Sequence, residues 1–137
     1  MVNLFIMKTI INTTIEFDLV RRDISQLRKV ANQSQALCMA AVKINPKAIL
    51  YMHTYYEDVY VYAVSQSSDL FKHITDQTDK ICLSAVAKEG LALRYVIEQT
   101  EKICQIAIHS NPFSLKYAMH QTETLCMQAI ASHAFAI

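Results

Sequence analysis

Four cysteines (Cys38, Cys82, Cys104 and Cys126) and five histidines (His53, His73, His109, His120 and His133) carry the most reactive side chains in this chain. Zinc would need thiolates or imidazoles converging at about 2.3 Å from one ion, normally supplied by paired ligands a few residues apart. No CxxC and no HxxxH spacing occurs. Nucleophilic catalysis would need a Cys or Ser beside a His and an orienting third group, and no residue here can be named for that role. The cysteines are instead spaced in multiples of 22 residues. Residues at one position of a stacked array sit on neighbouring helices about 8–10 Å apart, too far for the ~7 Å Cα separation of a disulfide. The expectation is four free, buried thiols acting as small hydrophobes in a reducing compartment, with no metal, no cofactor and no enzymatic activity.

Two further sets of side chains point to binding. Arg28, Lys72, Arg94 and Lys116 recur at one position, with Leu50 interrupting and Arg21, Arg22 and Lys29 near the start. Cations at such spacing would follow a phosphate backbone, as in helical-repeat RNA readers. Against this stand an acidic set, Glu57, Asp79, Glu101 and Glu123, and a net charge of +1, which favour a solvated ridge. The second set is aromatic: Tyr51, Tyr55, Tyr56, Tyr60 and Tyr62 place five of the seven tyrosines within twelve residues. Tyr55, Tyr56 and Tyr62 depart from the surrounding pattern and are candidate partner-binding residues, because tyrosine offers large, fairly rigid contact area with a polar tip.

The elements that position these residues follow from a repeat. Gln77 begins QTDKICLSAVAKEGLALRYVIE, Gln99 begins QTEKICQIAIHSNPFSLKYAMH, and Gln121 begins QTETLCMQAIASH. Counting back in steps of 22 gives Tyr55, Gln33 and Ile11. Leu37, Val59, Ile81, Ile103 and Leu125 form one column, the cysteines with Tyr60 the next. Ala41, Ala63, Ala85, Ala107 and Ala129 follow, then Val42, Val64, Val86, Ile108 and Ile130. These columns lie at i, i+1, i+4 and i+5, one face of a helix. Ser34, Thr78, Thr100 and Thr122 precede it as N-caps. A second set, Leu27, Ile49, Phe71, Leu93 and Leu115, has partners three residues on at Val30, Met52, Ile74, Val96 and Ala118. Pro46 and Pro112, with Gly90 at the same position between them, mark where a second helix starts. Each repeat therefore reads as two short helices, of about ten and eight residues, marginal alone and sustained by stacking.

One Gly and two Pro in 137 residues argue against a turn-rich β protein and against a glycine-rich phosphate loop. A hydrophobic content of 53% with 18% charged residues argues against disorder. No run of about 18 apolar residues spans a membrane, and Lys8 interrupts the short apolar run Leu4 to Met7, a poor signal peptide. Before the repeats, Ile11, Thr13, Ile15, Phe17 and Leu19 alternate with polar residues, which predicts a β-strand or hairpin capping the array, with a helix as the alternative.

The pattern QTxxICxxAVxxxGxALxYV resembles a short repeat of unknown function found in tandem in proteins of giant DNA viruses of amoebae and in some protist and bacterial proteins. The resemblance covers Gln33 to Ile137 and is most specific at Gln77 to Gln121. It implies an array of short helices, and for a viral protein the host cytoplasm or the virion, but it brings no catalytic or binding residues with it. The copy at Tyr55 departs from the pattern, with Tyr in place of Gln and of Cys and no Gly or Pro at its second helix, which predicts a bent or offset helix pair.

The expected architecture is mainly α: a solenoid-like array over 22–137 with an N-terminal cap over 1–21, forming a single domain. The expected role is a non-enzymatic protein-interaction or structural module with a protein partner, with a nucleic-acid-binding module as the alternative. The apolar end Ala134, Phe135, Ala136 and Ile137, with no polar capping helix after it, further suggests a homodimer built through a C-terminal or tyrosine-rich face.

Overall fold

The computed structural model describes residues 3–135. Ala136 and Ile137, half of the apolar end noted above, lie outside the described residues. The chain forms two compact units, Met1–Ala63 and Val64–Ile137. In the first lie α1 (Leu4–Arg22), a 3-10 helix (Ile24–Lys29), α2 (Gln35–Ile44) and a second 3-10 helix (Pro46–Tyr51). The division falls inside α3 (Glu57–Gln66). In the second unit a 3-10 helix (Ser68–His73) is followed by α4 (Asp79–Lys88), Gly90–Tyr95, α5 (Glu101–Ser110), Pro112–Tyr117 and α6 (Glu123–Phe135), the unlabelled segments again 3-10. Among the described residues there is no strand.

The repeat unit is therefore one α-helix and one 3-10 helix, not two α-helices. The second helix has six residues rather than about eight. A 3-10 helix turns every three residues, so side chains at i and i+3 eclipse. That is the spacing of Leu27 with Val30 and of Leu93 with Val96, all of them buried.

Local chemistry sets the bounds. The hydroxyls of Ser34, Thr78 and Thr100 accept from the backbone N–H three residues on, as N-caps do. Glu57, Asp79, Glu101 and Glu123 stand in first turns, where the helix dipole favours anions. A single extended residue then ends each α-helix and starts the 3-10 helix. Asn45 and Asn111, at φ −151° and −152°, donate their N–H to Ala41 and Ala107. Their side chains accept from Lys47 and Phe113 across Pro46 and Pro112. One residue thus makes the whole corner, which explains how 22 residues hold two helices with a single glycine.

That glycine starts its 3-10 helix, at the repeat position of Pro46 and Pro112, and closeness is the reason it is glycine. A Cβ on Gly90 would stand 2.2 Å from the Ala107 carbonyl oxygen of the next repeat. Instead the Gly90 N–H donates to the Ser110 hydroxyl at 3.1 Å.

The repeat columns form the core. Leu37, Val59, Ile81, Ile103 and Leu125 are buried, as are Ala41, Ala63, Ala85, Ala107 and Ala129. The last copy is more open, and Ile130 is 63% exposed. In the divergent copy α3 and the 3-10 helix after it have ten and six residues, the lengths of the copies on either side. Tyr55 and Tyr60, which replace the Gln and Cys of other copies, pair as rings with centroids 5.0 Å apart.

The expected N-terminal strand is a helix. Alternation of β-branched residues over 11–19 gave way to α1 because such propensities are weak when no partner strand is at hand. Asn3 caps the helix by accepting from the Phe5 N–H. Thr9, Thr13 and Thr14 turn their hydroxyls to the carbonyls four residues back, which absorbs their polarity within the helix. Val20 is buried, while Phe17 lies half-buried beside a groove of about 290 Å³ that α1 shares with α2.

Candidate functional site

The residue that ties repeat to repeat is the glutamine that opens each copy. The Gln33 side-chain amide donates to the carbonyls of Leu27 and Tyr51, and its oxygen accepts from the His53 N–H at 2.9 Å. Gln77 does the same with Ile74, Tyr95 and Ile97, and Gln99 with Leu93, Tyr117 and Met119. Among the described residues Gln121 keeps only the bond to Leu115. A buried amide with four hydrogen-bonding positions must find partners, and here they are backbone groups of two successive repeats. The sequence showed this glutamine only as a punctuation mark. The signal was there, because a polar residue just before a helix cap has no reason to recur unless its side chain is used.

The cysteines belong to the same arrangement. Cys82 and Cys104 turn their thiols to the oxygens of Gln77 and Gln99, at 3.8 and 3.7 Å. Burial pushes the Cys38 and Cys82 thiols up to about 11, with Asp79 adding to the effect at Cys82. Burial also raises Cys104, helped by Glu101. All four cysteines are free. Two clefts of about 170 and 180 Å³ open beside the second and third glutamines, Gln77 and Gln99. The smaller one gathers Cys104, His120 and Glu101, the residue types of a nucleophile, a base and an orienting group. The chemistry fails at the thiol. A nucleophile needs thiolate, and burial and the adjacent carboxylate both hold Cys104 protonated. The other cleft has Glu98 where this one has His120, so the cleft follows from stacking and the grouping does not recur. Among the described residues, no cluster of three His, Cys, Asp or Glu could hold a metal.

The basic column lies on the 3-10 helices, exposed. In the first unit the Arg28 guanidinium stands 4.8 Å from the Tyr51 ring centroid, one repeat further on. In the second unit Lys72, Arg94 and Lys116 occupy successive repeats, and His73 stands beside Lys72 where the others have tyrosine. Arg94 lies over Tyr95 at 4.6 Å and the Lys116 ammonium over Tyr117 at 5.0 Å. The Lys116 ammonium beside it holds the Tyr117 phenol below its usual value, and Arg94 adds to the effect. Cation and ring thus alternate along this face. Arg21 pairs with Asp18 at 3.6 Å, and among the described residues none of the four column cations forms an ion pair with Asp79, Glu101 or Glu123.

The tyrosine cluster separates. Tyr55 is 41% exposed. Tyr56 is half-buried, and its hydroxyl donates to the Gln33 carbonyl at 2.8 Å. Tyr62 is half-buried as well.

No family model, no curated protein and no solved structure matches this chain. Among the described residues, no helix is long and apolar enough to cross a membrane.

Proposed function

We propose that this chain is a non-enzymatic interaction module that meets a protein partner through the cation–tyrosine ladder of its 3-10 helices. The observation that carries this reading is the alternation of exposed Arg94 and Lys116 with half-buried Tyr95 and Tyr117, where the two cations make no ion pair among the described residues. Tyrosine and arginine are the side chains most enriched where interfaces concentrate their binding energy. The opening glutamines are already engaged with backbone groups, and burial holds the Cys38, Cys82 and Cys104 thiols protonated, so neither set competes with the ladder as a binding surface. Buried thiols also suit a reducing compartment, and the resemblance to repeats of giant-virus proteins suits a host cytoplasm or a virion. The test is a pull-down from the native host cell with wild type and with an R94A/Y95A/K116A/Y117A variant. Partners retained equally by both would refute the ladder as the binding face.

A second reading has nucleic acid as the partner, favoured by the same lack of carboxylate partners for Lys72, Arg94 and Lys116. Cations follow phosphates and tyrosine faces stack on bases. Three phosphate contacts would give a salt slope of about −2 for a single strand. The measurement is fluorescence anisotropy with single-stranded oligonucleotides, comparing wild type with Lys72, Arg94 and Lys116 all changed to Glu. Absence of binding by wild type at low salt removes this reading, and nuclease treatment of the pull-down separates it from the first.

A further inference from the structure

The most exposed apolar surface in the first unit is on α1. Val20 and Phe17 face the groove with α2, but Leu4, Ile11, Ile15 and Leu19 are 69%, 53%, 51% and 45% exposed. At 100° per residue these four share the side of the helix turned away from that groove. Apolar surface gathered along one helix marks an interaction site.

The spacing says which kind. Leu4, Lys8, Ile11, Ile15, Asp18 and Arg22 follow one another at steps of four and three, the spacing of a two-helix coiled-coil seam, here with apolar and charged positions mixed. Charge decides the direction. In a parallel pair Lys8 would meet Lys8 and Asp18 would meet Asp18. In an antiparallel pair centred on Thr13, Lys8 meets Asp18 of the second copy, Ile11 meets Ile15, and Leu4 lies against the stem of Arg22. Two-fold symmetry makes each of these contacts twice, and opposed helix dipoles also favour that direction.

We infer that α1 is the pairing element of a homodimer, packed antiparallel on α1 of a second copy. This places the dimer on the N-terminal helix rather than on the C-terminal or tyrosine-rich faces that the sequence suggested. The helix is about 28 Å long at 1.5 Å per residue, so a single helix pair of this length makes a small, concentration-dependent interface.

The experiment is light scattering and sedimentation on the full chain across the micromolar range, with circular dichroism to confirm that each variant keeps its fold. Wild type should pass from monomer to dimer mass. Because Ile11 and Ile15 are exposed, an I11E/I15E variant should keep the fold and remain monomeric. Lys8→Asp and Asp18→Lys alone should each weaken the dimer at least tenfold by setting like charges together, and the double swap K8D/D18K should restore it. A wild-type monomer throughout the range overturns the inference. So does a dimer that survives I11E/I15E, and a double swap no better than its single changes overturns the antiparallel register.

Discussion

Replacing Gln33 with Met tests whether the repeats are joined by glutamine. Methionine has a similar unbranched length and adapts to the space, so the change removes hydrogen bonds with little loss of volume. Gln33 is 1% exposed and makes three bonds. They are not equal in what they leave behind. The Leu27 carbonyl already accepts from the Val30 N–H at 3.0 Å, so it keeps a partner. The Tyr51 carbonyl and the His53 N–H have no other partner among the described residues. Two groups left without partners, at ~1 kcal/mol each, give a loss of ~2 kcal/mol. For a chain of this size that lowers the melting temperature by roughly 6 °C. Thermal denaturation followed by circular dichroism reads the shift.

The series supplies its own controls. Gln99→Met leaves the Tyr117 carbonyl and the Met119 N–H, but Gln99 is only half-buried where Gln33 is 1% exposed, so water can replace a bond there. Its loss should be about half as large, ~1 kcal/mol. Among the described residues Gln121→Met removes only a bond to Leu115, whose carbonyl also accepts from Ala118 at 3.0 Å. It should be neutral within ~0.5 kcal/mol. A Gln121 change as damaging as the Gln33 change, or a Gln33 change without effect, would refute the argument.

Three other outcomes follow from the packing and the thiols. Ala107 is fully buried, so Ala107→Leu should overpack the second unit and lower stability by ~1–3 kcal/mol, read by urea denaturation. Gly90→Ala should be of the same order, since its Cβ would meet the Ala107 oxygen at 2.2 Å, which backbone cannot yield cheaply. Cys82 titrates near 11 when folded against 9.0 for a free thiol. The folded state favours the protonated thiol, so its contribution to stability is complete below pH 9 and is lost as pH rises from 9 to 11. Native Cys82 should accordingly resist alkylation at pH 8 and react on unfolding; rapid labelling of the folded protein would contradict the burial argument.

The array was legible because column spacing is a direct consequence of helix geometry. The i, i+4 spacing of Cys104 and Ile108 read correctly as one α-helical face, and Thr100 read correctly as a cap. The three-residue spacing of Leu93 and Val96 also carried the 3-10 geometry, although it passes equally for one turn of α-helix. Two features were not legible. The N-terminal strand failed because Ile11, Ile15 and Leu19 fit both a period of two and a helical face, and sequence alone does not say whether a partner strand exists. The ladder was seen as cations and as tyrosines separately. That Arg28 reaches Tyr51 depends on the closeness of successive 3-10 helices, which no spacing along the chain states.

Ser114 shows why a hydrogen bond in view is not by itself a measure of stability. It is buried, and its hydroxyl donates to the Ala107 carbonyl at 2.8 Å and to Asn111. Ala48 and Ala92 hold the same repeat position without a hydroxyl, and both are buried. The Ala107 carbonyl also accepts from the Asn111 N–H at 2.8 Å, so it keeps a partner when the hydroxyl goes. Removing the hydroxyl takes donor and need together, which is nearly neutral where the acceptor stays satisfied. Ser114→Ala should therefore change stability by no more than ~0.5 kcal/mol in either direction, against ~2 kcal/mol for Gln33→Met. The two variants are compared in the same urea titration. A Ser114→Ala loss matching that of Gln33→Met would show that bonds count by their number, and the ranking of the glutamine series would lose its basis.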